Sequence, residues 1–291
     1  MTYCVGMRLE AGLVFLADSR TNAGIDQVST ARKLSVFENP GERMMVLMTA
    51  GNLSISQAVR QTISGYVSQD GSTIWTAPNM VEAARIVGEA VRSVHKEDAA
   101  KLTAFGVDFN ISLIFGGQIG TEHCRLFYIY SAGNFIESHD ENPYFQIGEA
   151  KYGKPILDRV ITPQTSLDDA AKCALVSMDS TLRSNVAVGL PLDLLVYENG
   201  SLALTRFVTI DEQNQYFQRL RIAWDQQLKA VFEGIDAPVW DAAPAITDQV
   251  PSPVNLHSRP VRVPLPAGLA PLQAAKPLQS LAEQPPLATQ H

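Results

Sequence analysis

Familiar hydrolase and nucleotide motifs are missing from this sequence. It has no Gly-x-Ser-x-Gly elbow, no Gly-x-x-x-x-Gly-Lys-[Ser/Thr] loop and no His-Glu-x-x-His pair. A serine hydrolase of the elbow type, a P-loop enzyme and a zinc peptidase therefore lack their usual sequence support. The five histidines, His95, His123, His139, His257 and His291, show no metal-ligand spacing and read as surface or hydrogen-bonded residues. Cysteine is scarce. Cys4, Cys124 and Cys173 are odd in number and far apart, which argues for reduced, buried thiols over a disulfide framework. No run approaches the ~20 apolar residues of a membrane span. The first 20 residues are interrupted by Arg8, Glu10, Asp18 and Arg20, so no signal core is visible and a cytoplasmic location is expected. Positive charge is in deficit: 23 Lys and Arg against 30 Asp and Glu give −7, with a pI near 5.3. That balance argues against nucleic acid or an anionic membrane as the main partner.

What is present is an ordinary apolar fraction of 46% in 291 residues, enough for a core without staples. Residues 2–9 alternate and are rich in β-formers. Glu10-Ala11-Gly12 makes a turn, and Leu13 to Asp18 reads as a second strand. A polar loop is expected over 20–30, then strands at 33–38 and 43–48 around Asn39-Pro40-Gly41-Glu42. The period then changes. Ile55, Ala58, Val59 and Ile63 fall at helical spacing, as do Val81, Ala84, Val87, Val91 and Val94. Strands return at 109–116, 125–131 and 144–147, and helices at about 149–160 and 166–182, the latter opening on Ser166-x-x-Asp169. Strands at 192–197 and 201–208 flank Asn199-Gly200, and a helix from about 211 to 232 follows. Segregated runs of this kind predict an α+β fold: two antiparallel sheets packed face to face with helix pairs outside, a four-layer αββα sandwich. From about 238 the composition shifts. Residues 243–291 hold ten of the 17 prolines and no aromatic residue. The expected organisation is a domain over 2–237 and a Pro/Ala-rich extension over 238–291, a linker-like tail or an arm that pins subunits.

One candidate nucleophile stands at position 2. Small residues after an initiator Met allow its removal, and a chain beginning at Thr2 carries a hydroxyl and a free α-amine on one residue. That amine has a reference pKa of ~8, so a useful fraction is neutral near pH 7 and can accept the hydroxyl proton. A Thr after Met is common, and an ordinary terminal residue explains it equally well. Two charged residues change the weighing. Asp18 ends the second strand and Lys33 begins the third, so the meander can return both beside Thr2. A lysine there would stabilise a developing alkoxide and would need a carboxylate to hold it. A structural Asp–Lys ion pair is the bland alternative. Thr49-Ala50-Gly51-Asn52 joins a β-rich run to the first helix. Free N–H groups at the helix start and a glycine that permits close approach make Gly51 N–H a candidate oxyanion donor. A plain strand-to-helix turn capped by Asn52 is the alternative.

Taken in order, Met1-Thr2, Val14-Phe-Leu-Ala-Asp18-Ser-Arg20, Lys33, Thr49-Ala-Gly51-Asn52, Gly148-Glu-Ala150 and Met178-Asp-Ser-Thr181 resemble the β-subunits of proteasomes over roughly residues 2–210. The opening Thr-Tyr-Cys-Val-Gly-Met-Arg-Leu, no propeptide before Thr2 and the long C-terminal extension are similar to the bacterial Anbu branch of that family. The resemblance implies an N-terminal-nucleophile hydrolase acting on amide bonds without metal or organic cofactor. It implies Thr2 as nucleophile, Asp18 and Lys33 as its activating pair, Gly51 as oxyanion donor and Asp179 as a supporting acid near the amine. Ala31, Thr49 and Leu53 would line an uncharged pocket for the side chain preceding the scissile bond. The implied partners are a peptide or protein substrate and further copies of the chain, in a ring or open spiral. There are departures. Glu149 stands where a serine is usual, and a second supporting serine falls at Leu182 unless an insertion makes it Ser184. The Asp18–Lys33 interval is one residue short. A small-molecule amidase and a non-catalytic scaffold remain the alternative functions.

Overall fold

In the computed structural model, which describes residues 2–22 and 28–238, the alternation at the start of the chain becomes a hairpin of β1 (Tyr3–Leu9) and β2 (Gly12–Asp18), paired in register from Cys4 opposite Ala17 to Leu9 opposite Gly12. The chain continues through β3 (Arg20–Asn22), β4 (Val28–Thr30), β5 (Leu34–Asn39) and β6 (Arg43–Gly51) to helices α1 (Leu53–Gly65) and α2 (Met80–Ala104). Next come β7 (Ile111–Ile119), β8 (Arg125–Ile129), β9 (Phe135–Glu137) and β10 (Tyr144–Gly148), then α3 (Ala150–Val160) and α4 (Leu167–Ser184). Strands β11 (Leu192–Glu198) and β12 (Arg206–Ile210) and helix α5 (Gln215–Glu233) complete the described elements.

Two antiparallel five-stranded sheets result. The first has the order β10-β1-β2-β11-β12 and the second β5-β6-β7-β8-β9. Three apolar layers hold four layers of secondary structure together, as the αββα reading expects. Val5, Met7 and Leu16 face α3 and α4, while Met45, Leu47 and Phe115 face α1 and α2. Cys4, Phe15, Met44, Val46, Met48 and Ile114 fill the space between the sheets. The period-2 alternation of β6 divides its residues between these layers, with Met44, Val46 and Met48 on one face and Met45 and Leu47 on the other. Two strand glycines let the sheets close over the Phe15 ring. A Cβ on Gly6 would come within 2.9 Å of Ile114 Cγ2, and one on Gly116 within 3.1 Å of Phe15 Cζ. Burying a phenylalanine at such a contact stabilises the fold by about 1.5–3 kcal/mol.

Three local expectations are corrected. Part of the polar loop over 20–30 is a small ribbon, with Arg20 opposite Thr30. Strand β9 has only three residues, too few for alternation to register. The strand after Asn199-Gly200 begins at Arg206 and not at 201. The intervening backbone bonds elsewhere: Leu202 N–H donates to the Tyr197 hydroxyl at 3.1 Å and Leu204 N–H to Glu38 at 2.6 Å. The extension expected from 238 lies, beyond that residue, outside the described residues. Among the described residues, no helix is long and apolar enough to cross a membrane.

Candidate active site

The first sheet supplies Asp18, with Thr2 just before its strand β1, and the second supplies Thr49 and Gly51, with Lys33 just before its strand β5. Thr2 immediately precedes β1, which lies between β2 and β10. Its carbonyl accepts the Glu149 N–H at 2.7 Å. Gly148, at φ +82°, makes that contact possible, because a Cβ there would lie 1.9 Å from the Thr2 carbonyl oxygen. The main chain of Thr2 is thus fixed by the strand beside it. Its side chain borders a cleft of about 730 Å³ that Lys33, Ala31, Thr49, Gly51 and Leu53 also line.

Lys33 reaches across the join between the sheets. Its ammonium donates to Asp18 Oδ1 at 2.6 Å and to the Arg20 carbonyl at 2.8 Å. The lysine side chain is 7% exposed and the aspartate 0%. Asp18 is itself held by main chain: Tyr3 N–H donates to Oδ1 at 3.0 Å and Gly189 N–H to Oδ2 at 3.3 Å. Burial pushes the Asp18 carboxyl above its ordinary value, and the Lys33 charge with these donors pulls against that rise. A buried ion pair with every carboxylate oxygen engaged fixes the ammonium at one place beside the cleft.

The other wall is the strand-to-helix junction. Asn52 caps α1, its side chain accepting the Ser54 N–H at 2.9 Å. Gly51, at φ +115°, lies so close to the neighbouring strand that a Cβ would meet the Asn110 carbonyl oxygen at 2.3 Å. No other residue fits without moving the backbone. Helix α1 then divides by face. Ile55, Val59 and Ile63 are buried in the core, while Leu53, Gln57 and Arg60 line the cleft. The helix start directs its positive dipole end to the same space. A hydroxyl, a fixed ammonium and a helix N-terminus in one cleft form a set suited to acyl transfer.

Asp179 is engaged by arginines. It sits on α4, is not among the cleft-lining residues, and accepts Arg183 Nε at 3.2 Å and Arg221 Nε of α5 at 2.5 Å. Its two oxygens serve a tie between helices. Leu182, on α4, is half-buried against the core, and Ser184 is the last residue of that helix; neither lines the cleft. Glu149 contributes its N–H to Thr2, while its carboxylate lies 3.6 Å from Lys151 Nζ.

The sequence reading missed the groups that hold Asp18, namely the Tyr3 and Gly189 N–H donors. Arg60 and Gln57 were also missed, although their spacing from Leu53 puts them on one helix face.

Among the solved structures that resemble the chain, three match it over most of its length. Anbu from Hyphomicrobium sp. strain MC1 is 48% identical, covering 82% of this chain and 100% of its own, with a TM-score of 0.75. Anbu (ancestral beta-subunit) from Yersinia bercovieri is 46% identical, covering 82% of this chain and 99% of its own, with a TM-score of 0.77. A helical assembly of the Anbu complex from Pseudomonas aeruginosa gives 45% identity, coverages of 82% and 98%, and a TM-score of 0.77. No protein-family model and no curated protein matches the sequence.

Proposed function

The chain belongs to the Anbu family of proteasome-like N-terminal-nucleophile hydrolases, and from that premise we propose that it is a threonine-type peptidase in which Thr2 attacks an amide carbonyl. One observation carries the reading: an ion pair bridging two sheets sets Lys33 on the wall of the cleft that Thr2 and Gly51 also line. In the proposed reaction, the α-amine of a processed Thr2 takes the Oγ proton as general base. Oγ bonds to the amide carbon, and the carbonyl oxygen becomes an oxyanion held by Gly51 N–H. Lys33 lowers the cost of the alkoxide. The leaving amine takes the proton as the C–N bond breaks. Water then hydrolyses the acyl-enzyme ester, the amine again serving as base.

A peptide is favoured over a small amide by the shape of the surroundings. A second groove, beside β5, shares Gln57 and Arg60 with the cleft, so the binding surface continues along α1. An extended chain uses such a length. Ala31, Thr49 and Leu53 are proposed as the pocket for the side chain before the scissile bond. The Pseudomonas aeruginosa protein forms a helical assembly, and we extend self-association of that kind to this chain.

The test is covalent. A threonine-directed electrophile is expected to add its mass to one site, mapped to Thr2. Thr2→Ala is expected to abolish both the adduct and peptide turnover while mass photometry shows an unchanged assembly. Full turnover by Thr2→Ala would place the nucleophile elsewhere.

A further inference from the structure

The cleft walls carry three cationic side chains, Arg32, Lys33 and Arg60, and no carboxylate among the described lining residues. This reverses the sign of the chain as a whole, which is −7. Two of the three cations are matched by an aspartate. Lys33 is held by Asp18, and Arg32 donates to Asp193 at 2.8 Å. Arg60 is different. Its side chain is half-buried, borders both the cleft and the adjoining groove, and its guanidinium has no hydrogen-bond or ion-pair partner among the described residues.

A guanidinium offers a planar fork of donors that matches a carboxylate in a bidentate pair. The matched cations have their anions built into the fold, so the unmatched one faces the space where substrate would lie. Its position along the cleft follows from helix geometry. Leu53 and Arg60 are seven residues apart on one face of α1, about 10 Å along the axis. An extended peptide advances about 3.3 Å per residue. A group bound at Arg60 is therefore about three residues from one bound at Leu53.

We propose that Arg60 selects substrates carrying a carboxylate, as an acidic side chain or a free chain end, about three residues from the scissile bond. This rests on the peptidase reading of the cleft. It leaves Ala31, Thr49 and Leu53 as a neutral pocket and adds an anionic requirement farther along the same wall.

Binding, read without turnover, tests it. The full chain with Thr2→Ala is titrated into fluorescein-labelled extended peptides, and anisotropy is measured at low and high salt. One peptide series moves a single Glu across successive positions, a second has Gln in its place, and a third compares a free with an amidated C-terminus. The expected result is on the order of tenfold tighter binding for a carboxylate at one position. The Glu series and the chain-end series show which source supplies it. The preference is expected to vanish in Arg60→Gln, to shrink in Arg60→Lys and to weaken with salt. Equal affinities for charged and neutral peptides, no binding of any peptide, or a preference unchanged in either Arg60 variant would each overturn the proposal. If Thr2 resists the electrophile while the carboxylate preference holds, the peptidase reading fails and the binding specificity stands.

Discussion

Two buried aspartates, Asp18 and Asp179, share a description and differ in use. Each is 1% exposed and each is paired with a basic side chain. Asp18 meets a lysine that is itself buried, and its remaining capacity is taken by main-chain N–H groups of Tyr3 and Gly189. Asp179 meets Arg183 and Arg221, whose side chains are 49% and 37% exposed. The first pair is sealed and fixes a charge beside a cleft. The second is open on its cationic side and ties α4 to α5. Burial of the acid is the same in both pairs; burial of its partner is what differs.

The largest effect that would test this contrast comes from Lys33→Ala. Turnover of a fluorogenic peptide is expected to fall by about 10³-fold, the upper end of what removal of one positioned electrostatic stabiliser costs. Leaving Asp18 buried without its cation is also expected to cost about 3–5 kcal/mol in chemical denaturation. A silent variant would make the pair purely structural and erase the distinction. Asp18→Asn keeps the shape and removes the charge that holds Lys33, with an expected loss of about 10²-fold in kcat. Its pH profile is the sharper readout. Burial raises the Asp18 carboxyl, so in the wild-type protein it takes up a proton at higher pH than an ordinary carboxylate near ~4. Activity is then expected to fall on acidification before that range is reached, and the limb should disappear in Asp18→Asn. The smallest effect on turnover belongs to Asp179→Asn. Loss of the tie is expected to lower stability by about 1–3 kcal/mol in thermal unfolding, with kcat within about twofold of wild type. A tenfold fall in kcat would restore to Asp179 the supporting role that the resemblance to proteasome subunits implied.

Much of this was readable from the residues. The alternation of Thr2 to Leu9, the turn at Glu10-Ala11-Gly12 and the helical spacing of Ile55, Val59 and Ile63 are local signals, and the elements formed where they lie. Thr2, Asp18, Lys33 and Gly51 were candidates from the strand meander and the strand-to-helix turn, and the resemblance to proteasome β-subunits chose them over their bland alternatives. Other features were not readable. The Gly189 N–H reaches Asp18 from 171 positions away, and no local pattern encodes that contact. Asp179 was assigned by motif order, which does not say which helix face it occupies. Strand β12 was placed too early because Asn199-Gly200 signals a tight turn, while Tyr197 and Glu38 recruit the following backbone.

Thr2 adjoins one sheet and Gly51 ends a strand of the other, so the gap between the proposed nucleophile and the proposed oxyanion donor depends on what spaces those sheets. That spacer is remote from the chemistry: the Phe15 ring, with Ile114 and the bare backbone at Gly6 and Gly116. The interior of the sandwich thereby acts as a gauge block. A single added methyl at Gly6 would enlarge it and shift Thr2 relative to Gly51 without altering any residue that lines the cleft.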